Sequence, residues 1–363
     1  MLLAVVAAAA MVLLPAAAQA TQLPPSLELV ATSPRFAWNG VAIANDGRLF
    51  ANMPRWDEGT PSVVQIGANG SLTPYPGGAW NTWKPGDDPR VRFVSVNALH
   101  IDRADNHLWV VDSGTPQFGH IIAGGPKLVE IDLATNEVVR VYPFDKTVAP
   151  ANSYLNDVRV RGQFAFVTES GTGALLVLDR RDGSIRRLLA GSRLTKGDPS
   201  IIPVVEGRQL VGPDGRPPTM QVDELELSAD GRTLFFMVPT GPNLYRVAVA
   251  DLLDKSLSDE ALEKRVSIDR RVPPVGGIVI DRSDTLYLSE IETHSIRAIA
   301  RDGTTRFVIT DPRLDWPDAY SVAPDGTLYV VASQVDDLPA FHHGVDARKP
   351  PYFLFKFYPP GMP

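Results

Sequence analysis

The chain has 363 residues, 44% of them hydrophobic and 21% charged, with 29 glycines, 32 prolines and no cysteine. This composition excludes a disordered or collagen-like chain and supplies enough apolar residues for a sizeable core. Without cysteine there is no disulfide, thiolate metal site or cysteine nucleophile, so a metal would need oxygen or imidazole ligands. The 35 basic and 42 acidic residues leave a net charge of −7. No basic cluster is interleaved with aromatics, which points away from nucleic acid and toward small molecules or proteins as partners.

Residues 1–20 are an uncharged run of alanine, leucine and valine broken by Pro15 and ending Ala18, Gln19, Ala20. The run predicts a signal peptide with a small-x-small cleavage site; the alternative is an uncleaved membrane anchor. Pro15 and the exit residues favour cleavage. That leaves a single domain over 21–363, with no stable membrane span, in a secreted or periplasmic protein.

Six segments then repeat one pattern of alternating strand, tight turn and second β-rich strand: 39–52, 97–112, 156–169, 223–237, 276–290 and 318–332. Asp46-Gly47, Asp230-Gly231 and Asp325-Gly326 supply turn chemistry. The starts are 58, 59, 67, 53 and 42 residues apart, an irregular propeller period. Each unit offers a third strand, at 61–66, 127–132, 174–179, 243–249, 295–300 and 352–357, and five offer a fourth. The sixth unit runs out of chain, so its outer strand is expected from 26–31, closing the ring and protecting a sheet edge. The predicted fold is therefore all-β, a six-bladed β-propeller closed by an N-terminal strand. The alternative is an open sandwich.

Long connections at 73–93, 113–125, 190–221 and 333–350 fall on one face and tight turns on the other, so function is expected on the long-loop face. Asp251 to Arg265 predicts a short amphipathic helix on the turn face.

Repeat alignment puts Asn39, Asn97, Asn156, Asp223, Gly276 and Asp318 at one position, where the first strand of each blade enters the central channel. Converging Asn and Asp side chains could hold a hard cation such as Ca²⁺ or a polar ligand; equally, they could terminate strands and cap turns. A second set, Asp112, Glu169 and Glu290, ends the second strands on the same face, beside Arg55 and Trp56 of the first unit. These could form an outer shell with divided acid and base roles, or ordinary ion pairs. Tyr75, Trp80 and Trp83 could stack on a flat ligand or anchor their loop. Among six histidines, His120, His342 and His343 are candidates for proton transfer. No HExxH, GxSxG, P-loop or strand–GxGxxG–helix pattern occurs.

Several segments, in order, resemble the major royal jelly protein and insect yellow family. Residues 52–56 resemble its Val-Pro-Arg-Trp, 74–80 its Pro-Tyr-Pro-Ser-Trp, and 108–114 its Leu-Trp-Val-Leu-Asp-Ser/Thr-Gly. The order continues through 127–135, 154–160, 225–236, 243–247 and 316–330. The resemblance implies a secreted six-bladed propeller whose channel binds small molecules such as biogenic amines or aromatic metabolites. In some members it also implies dopachrome-converting, isomerase-like activity, for which no catalytic residue carries over.

A more distant likeness is to the regucalcin and gluconolactonase propellers, which imply a divalent metal held by a Glu, two Asn and an Asp. Here Asn156 and Asp223 take the Asn positions, whereas Asn39 replaces the Glu and Gly276 the Asp. Three expectations follow. The first is a small polar or aromatic ligand at Asn39, Asn97, Asn156, Asp223 and Asp318. The second is a metal-dependent lactonase or hydrolase using Asn156, Asp157, Asp223 and Glu169. The third is a protein-interaction scaffold.

Overall fold

A computed structural model of the protein describes residues 26–359; the expected signal peptide at 1–20 lies outside the described residues. Six four-stranded antiparallel sheets follow one another round an axis. Blade 1 is built from Gly40–Ile43, Leu49–Asn52, Val63–Ile66 and Leu72–Pro74. Blades 2 and 3 begin with Val96–Asp102 and Leu155–Arg161, and blades 4 and 5 with Glu224–Leu227 and Val275–Ile280.

Blade 6 combines Pro317–Val322, Leu328–Ala332 and Tyr352–Phe357 with Glu28–Ser33 as its outermost strand. The N-terminal strand pairs antiparallel with the last one, Leu29 opposite Phe355 and Ser33 opposite Tyr352. The expected closure is therefore present, and the last strand's edge is covered.

Burial follows position in the blade. Inner and middle strands lie between neighbouring blades and are apolar on both faces: Ala174–Asp179 is buried throughout. The outer strand Ile185–Leu188 buries only Leu188. The core is thus a ring of apolar layers between blades, and its largest fully buried side chains include Trp38, Trp109, Phe50 and Phe93.

Trp38 fastens the seam where the ring closes. Its indole N–H donates to the Phe353 carbonyl at 2.9 Å, while Ser333 Oγ donates to the Trp38 carbonyl at 2.8 Å. Nearby, the Ile43 amide donates to Ser321 Oγ at 3.0 Å.

The segment expected as one amphipathic helix forms two short ones, Val249–Leu253 and Asp259–Glu263. Asp254 and Ser256 make a turn between them, and Ser258 caps the second. Leu252 and Leu262 are buried against blades 3 and 4, on the expected face. Among the described residues no helix is long and apolar enough to cross a membrane.

Trp38→Ala should destabilise the protein by about 3–5 kcal/mol, the range for truncating a buried large aromatic. Urea unfolding followed by circular dichroism checks this, and Trp38→Phe should lose clearly less.

Candidate functional site

The site is made where the first strands begin. In blades 3, 5 and 6 the ladder slips just inside the strand. Leu155 pairs with Glu169 but Val158 with Val167, Val275 with Glu290 but Ile278 with Leu288, and Pro317 with Ala332 but Tyr320 with Val330. Blade 2 slips between Val96 and Ala98. These β-bulges hold Asn97, Asn156-Asp157, Gly276-Gly277 and Asp318-Ala319, and bulges re-aim side chains. Blade 5 carries glycines because the chain of blade 6 runs against it. A Cβ on Gly276 would lie 2.6 Å from the Pro317 carbonyl, and one on Gly277 1.9 Å from that of Asp318.

Asn39, Asn97, Asn156, Asp223, Gly276 and Asp318 all line one cavity of about 260 Å³ on the long-loop face. Its walls come from three of the four long connections, through Phe118, Thr219, Met220, Val335 and Phe341. The 73–93 loop contributes no lining residue. Its aromatics pack instead: Tyr75 on Phe50, Trp80 on Phe93, and Trp83 beneath Arg55.

The ring has two chemically different halves. On the asparagine side, Asn39 Nδ2 donates to the Asn97 carbonyl at 3.2 Å, and Asn97 Nδ2 to Asn156 Oδ1 at 2.7 Å. Tyr154 Oη donates to Asn97 Oδ1 at 2.7 Å, and Asn156 Nδ2 to Ser170 Oγ at 3.0 Å. These amides tie blade to blade and satisfy one another.

Across the cavity stand Asp223, Glu224 and Asp318. Among the described residues none of these three carboxylates has an ion-pair partner or a hydrogen bond to another side chain, so they face the cavity as unpaired acids; the Asp318 carboxyl takes only the Ala319 amide. Burial, reinforced by Asp157, pushes Asp223 up to about 8. Burial and neighbouring carboxylates raise Glu224 and Asp318 well above the usual range, the response expected of like charges crowded in a dry site.

Above the ring, Trp56 stacks on Phe118 with centroids 5.6 Å apart and planes 18° from parallel, and Phe118 on Tyr154 at 5.7 Å and 21°. Phe118 and Trp316, both cavity residues, have left-handed backbone with φ of 52° and 50°. Holding bulky residues there costs on the order of 1–3 kcal/mol, a cost that concentrates at functional sites.

Asp112, Glu169 and Glu290 do not line the cavity. Asp112 accepts the Val94, Ser95 and Gly114 amides and pairs with Lys127 Nζ at 2.5 Å. Glu169 accepts the Tyr154, Gly171 and Thr172 amides and pairs with Arg187 at 2.6 Å. Glu290 pairs with Arg297. All three are buried and clip loops to the blade ends. His120 is exposed and outside the cavity, and so is His343; His342 contacts Asp337 at 3.1 Å.

Below the ring, Arg159 bridges Asp157 at 2.7 Å and Glu226 at 2.9 Å in a buried ion network.

The four-donor arrangement implied by the gluconolactonase likeness does not fit these residues. Asn156 Oδ1 is engaged by Asn97, Asn39 brings an amide where a carboxylate would stand, and Gly276 brings no donor. Among the described residues, the trio of His, Asp and Glu groups whose ligand atoms all lie within 4.8 Å is Asp105, His107 and Glu130, far out on blade 2. Arg180 already occupies it, 2.9 Å from Asp105 and 2.6 Å from Glu130.

Fold and site together define a six-bladed β-propeller with a polar, aromatic-walled cavity over one channel mouth. Residues 94–348 match the family described as Major royal jelly protein, and the chain belongs to that family. It is 27% identical over 122 residues to the Protein yellow of Drosophila pseudoobscura pseudoobscura and to that of Drosophila madeirensis, matching 31% of this chain. The match spans 21% of those relatives' length.

Among solved structures it resembles a gluconolactonase from Xanthomonas campestris, with TM-score 0.54, 13% identity, and 93% and 95% of the two chains covered. It also resembles a luciferin-regenerating enzyme, with TM-score 0.54, 10% identity, and 93% and 96% covered. A streptogramin B lyase gives TM-score 0.52, 12% identity, and 93% and 98% covered. At such identities the likeness is one of fold alone.

Asp223 has a raised pKa in the folded state, so the folded protein binds more protons than the unfolded one above about pH 4. Its contribution therefore weakens stability as pH rises toward 8. Asp223→Asn should be more stable than the parent at pH 8, by roughly 1 kcal/mol or more, and close to it at pH 4. Urea midpoints at the two pH values check the sign.

Proposed function

We propose that the cavity binds a small, flat organic cation, an aromatic amine or catecholamine-like molecule. The observation that carries this reading is the unpaired trio Asp223, Glu224 and Asp318 facing a cavity walled by the Trp56–Phe118–Tyr154 stack. An ammonium group would neutralise the crowded carboxylates, while a ring would lie against the aromatic wall. The cavity volume of about 260 Å³ suits a single-ring molecule. The two carboxylate blades supply charge, and the asparagine blades offer what remains of their amide polarity for hydroxyl groups. Family membership supports the same ligand class, and the apolar run at 1–20 supports export of the protein.

A second reading, isomerase-like chemistry on the same ligand, rests on Asp223. A carboxyl group that titrates near neutral pH can take a proton from one position of a bound ring and return it to another. Conversion of dopachrome, followed by absorbance, would then fall sharply in Asp223→Asn. A parent protein without activity would leave a binding propeller only.

Calorimetric titration of tyramine and dopamine tests the leading reading. The expected result is one site per chain, tightening as pH rises from 6 to 9, because the carboxylates lose protons while the amine keeps its own. The double substitution Asp223→Asn with Asp318→Asn should weaken binding about 30-fold or more, ~2 kcal/mol. Unchanged affinity in the folded double variant would overturn the reading. Saturable Ca²⁺ binding that displaces the amine would instead favour a metal-assisted hydrolase involving Asn156 and Asp223.

A further inference from the structure

The other end of the channel carries the opposite charge. A cavity of about 640 Å³ opens on the tight-turn face, lined by the far ends of the same inner strands. Apolar walls come from Val41, Leu99, Val279 and Val322. Its charged lining is Arg103, Arg159, Arg161 and Arg282 against Asp102 and Glu226.

Both carboxylates are already engaged: Glu226 holds Arg159 at 2.9 Å, and Asp102 lies 3.6 Å from Arg180 and accepts the Ala104 amide. Among the described residues, Arg103, Arg161 and Arg282 have no carboxylate within ion-pair distance. Asp230, the acid next to Arg161, spends its carboxylate on Ser228 and the Arg232 amide.

The three guanidinium groups are nevertheless positioned. Arg103 donates to Asn45 Oδ1 at 2.9 Å, to the Ile43 carbonyl at 3.1 Å and to the Val322 carbonyl. Arg161 donates to the Asp230 carbonyl at 3.1 Å, and Arg282 to the Pro324 carbonyl at 3.0 Å. Five N–H groups per guanidinium leave donors unspent on each. Burial and the charge of Arg282 both oppose the charge of Arg103, so the arrangement costs energy that a bound anion would recover. In a protein of net charge −7, three unpaired cations fixed around one mouth are an exception to the general electrostatics.

We infer that this turn-face mouth is a second binding site, for a small polyanion carrying two or more carboxylate or phosphate groups, held by Arg103, Arg161 and Arg282. Guanidinium forks match both oxyanion types. The Arg159 network lies between this site and the cation cavity, and the two cavities share no lining residue.

Calorimetry with citrate, pyrophosphate and inorganic phosphate on the full chain tests the site, and the first two probes distinguish carboxylate from phosphate preference. The expected result is saturable one-to-one binding of citrate or pyrophosphate, weaker at higher salt, and weaker still for inorganic phosphate. Arg103→Ala with Arg282→Ala should lose tenfold or more in affinity, whereas Asp223→Asn should leave it unchanged. If the loss of Arg103's carbonyl contacts unfolds that variant, Arg161→Ala with Arg282→Ala carries the same expectation, since each residue gives up one surface carbonyl bond. No saturable binding at low salt up to about 10 mM probe, an affinity weaker than ~3 kcal/mol, would overturn the inference. So would undiminished affinity in a folded double variant.

Discussion

Six inner strands share one axis, and that crowding governs the rest of the molecule. Strands that meet at a centre have no room for large side chains where they enter, and they leave backbone carbonyls facing the neighbouring blade. The protein answers with short polar residues that reach sideways. Asn39 and Asn97 cap the next blade's strand, Thr168 Oγ1 donates to the Asp223 carbonyl at 2.5 Å, and blade 5 retreats to glycine where blade 6 presses against it. A ring of polar groups at the channel mouth is thus first a solution to packing. It becomes a candidate site only where those groups are left unsatisfied, on the side of Asp223, Glu224 and Asp318.

The same constraint explains what the amino-acid sequence made legible. Repeated strand–turn–strand units exposed the blade count, and the sixth unit's lack of a fourth strand exposed the N-terminal closure. The ring residues share one place in the repeat, so simple alignment brought five polar side chains into one cavity. Asp112, Glu169 and Glu290 also share a place in the repeat, but the oxygens of the first two turn to loop amides and those of Glu290 to Thr293 and Arg297. Sequence spacing does not distinguish a carboxylate that faces a cavity from one that clips a loop. Glu224 escaped notice because it neighbours Asp223, and in an alternating strand only one of the two would be expected to face inward. Phe118 and Tyr154 belong to loops whose path depends on tertiary contacts such as the Gln117 amide on the Arg55 carbonyl at 2.7 Å. The amphipathic pattern at 251–265 gave no sign that Asp254 and Ser256 would break it.

Charge organises the channel along its length. Unpaired acids stand at the long-loop mouth, the Arg159–Asp157–Glu226 network fills the middle, and unpaired guanidinium groups stand at the turn-face mouth. In the central network Arg159 pairs with both buried carboxylates, so neither is left an orphan charge. The two mouths lack such compensation, and this separates them from the many surface ion pairs elsewhere in the protein. Propellers of similar shape include a lyase, a gluconolactonase and a luciferin-regenerating enzyme, a likeness of fold alone.

The most direct measurement of the central claim is a crystal structure with 4-bromophenethylamine, the bromine located by its anomalous signal. The bromine should lie against the Trp56–Phe118–Tyr154 stack and the ammonium among Asp223, Glu224 and Asp318. Bromine density elsewhere, or none in this cavity at a saturating concentration, would contradict it.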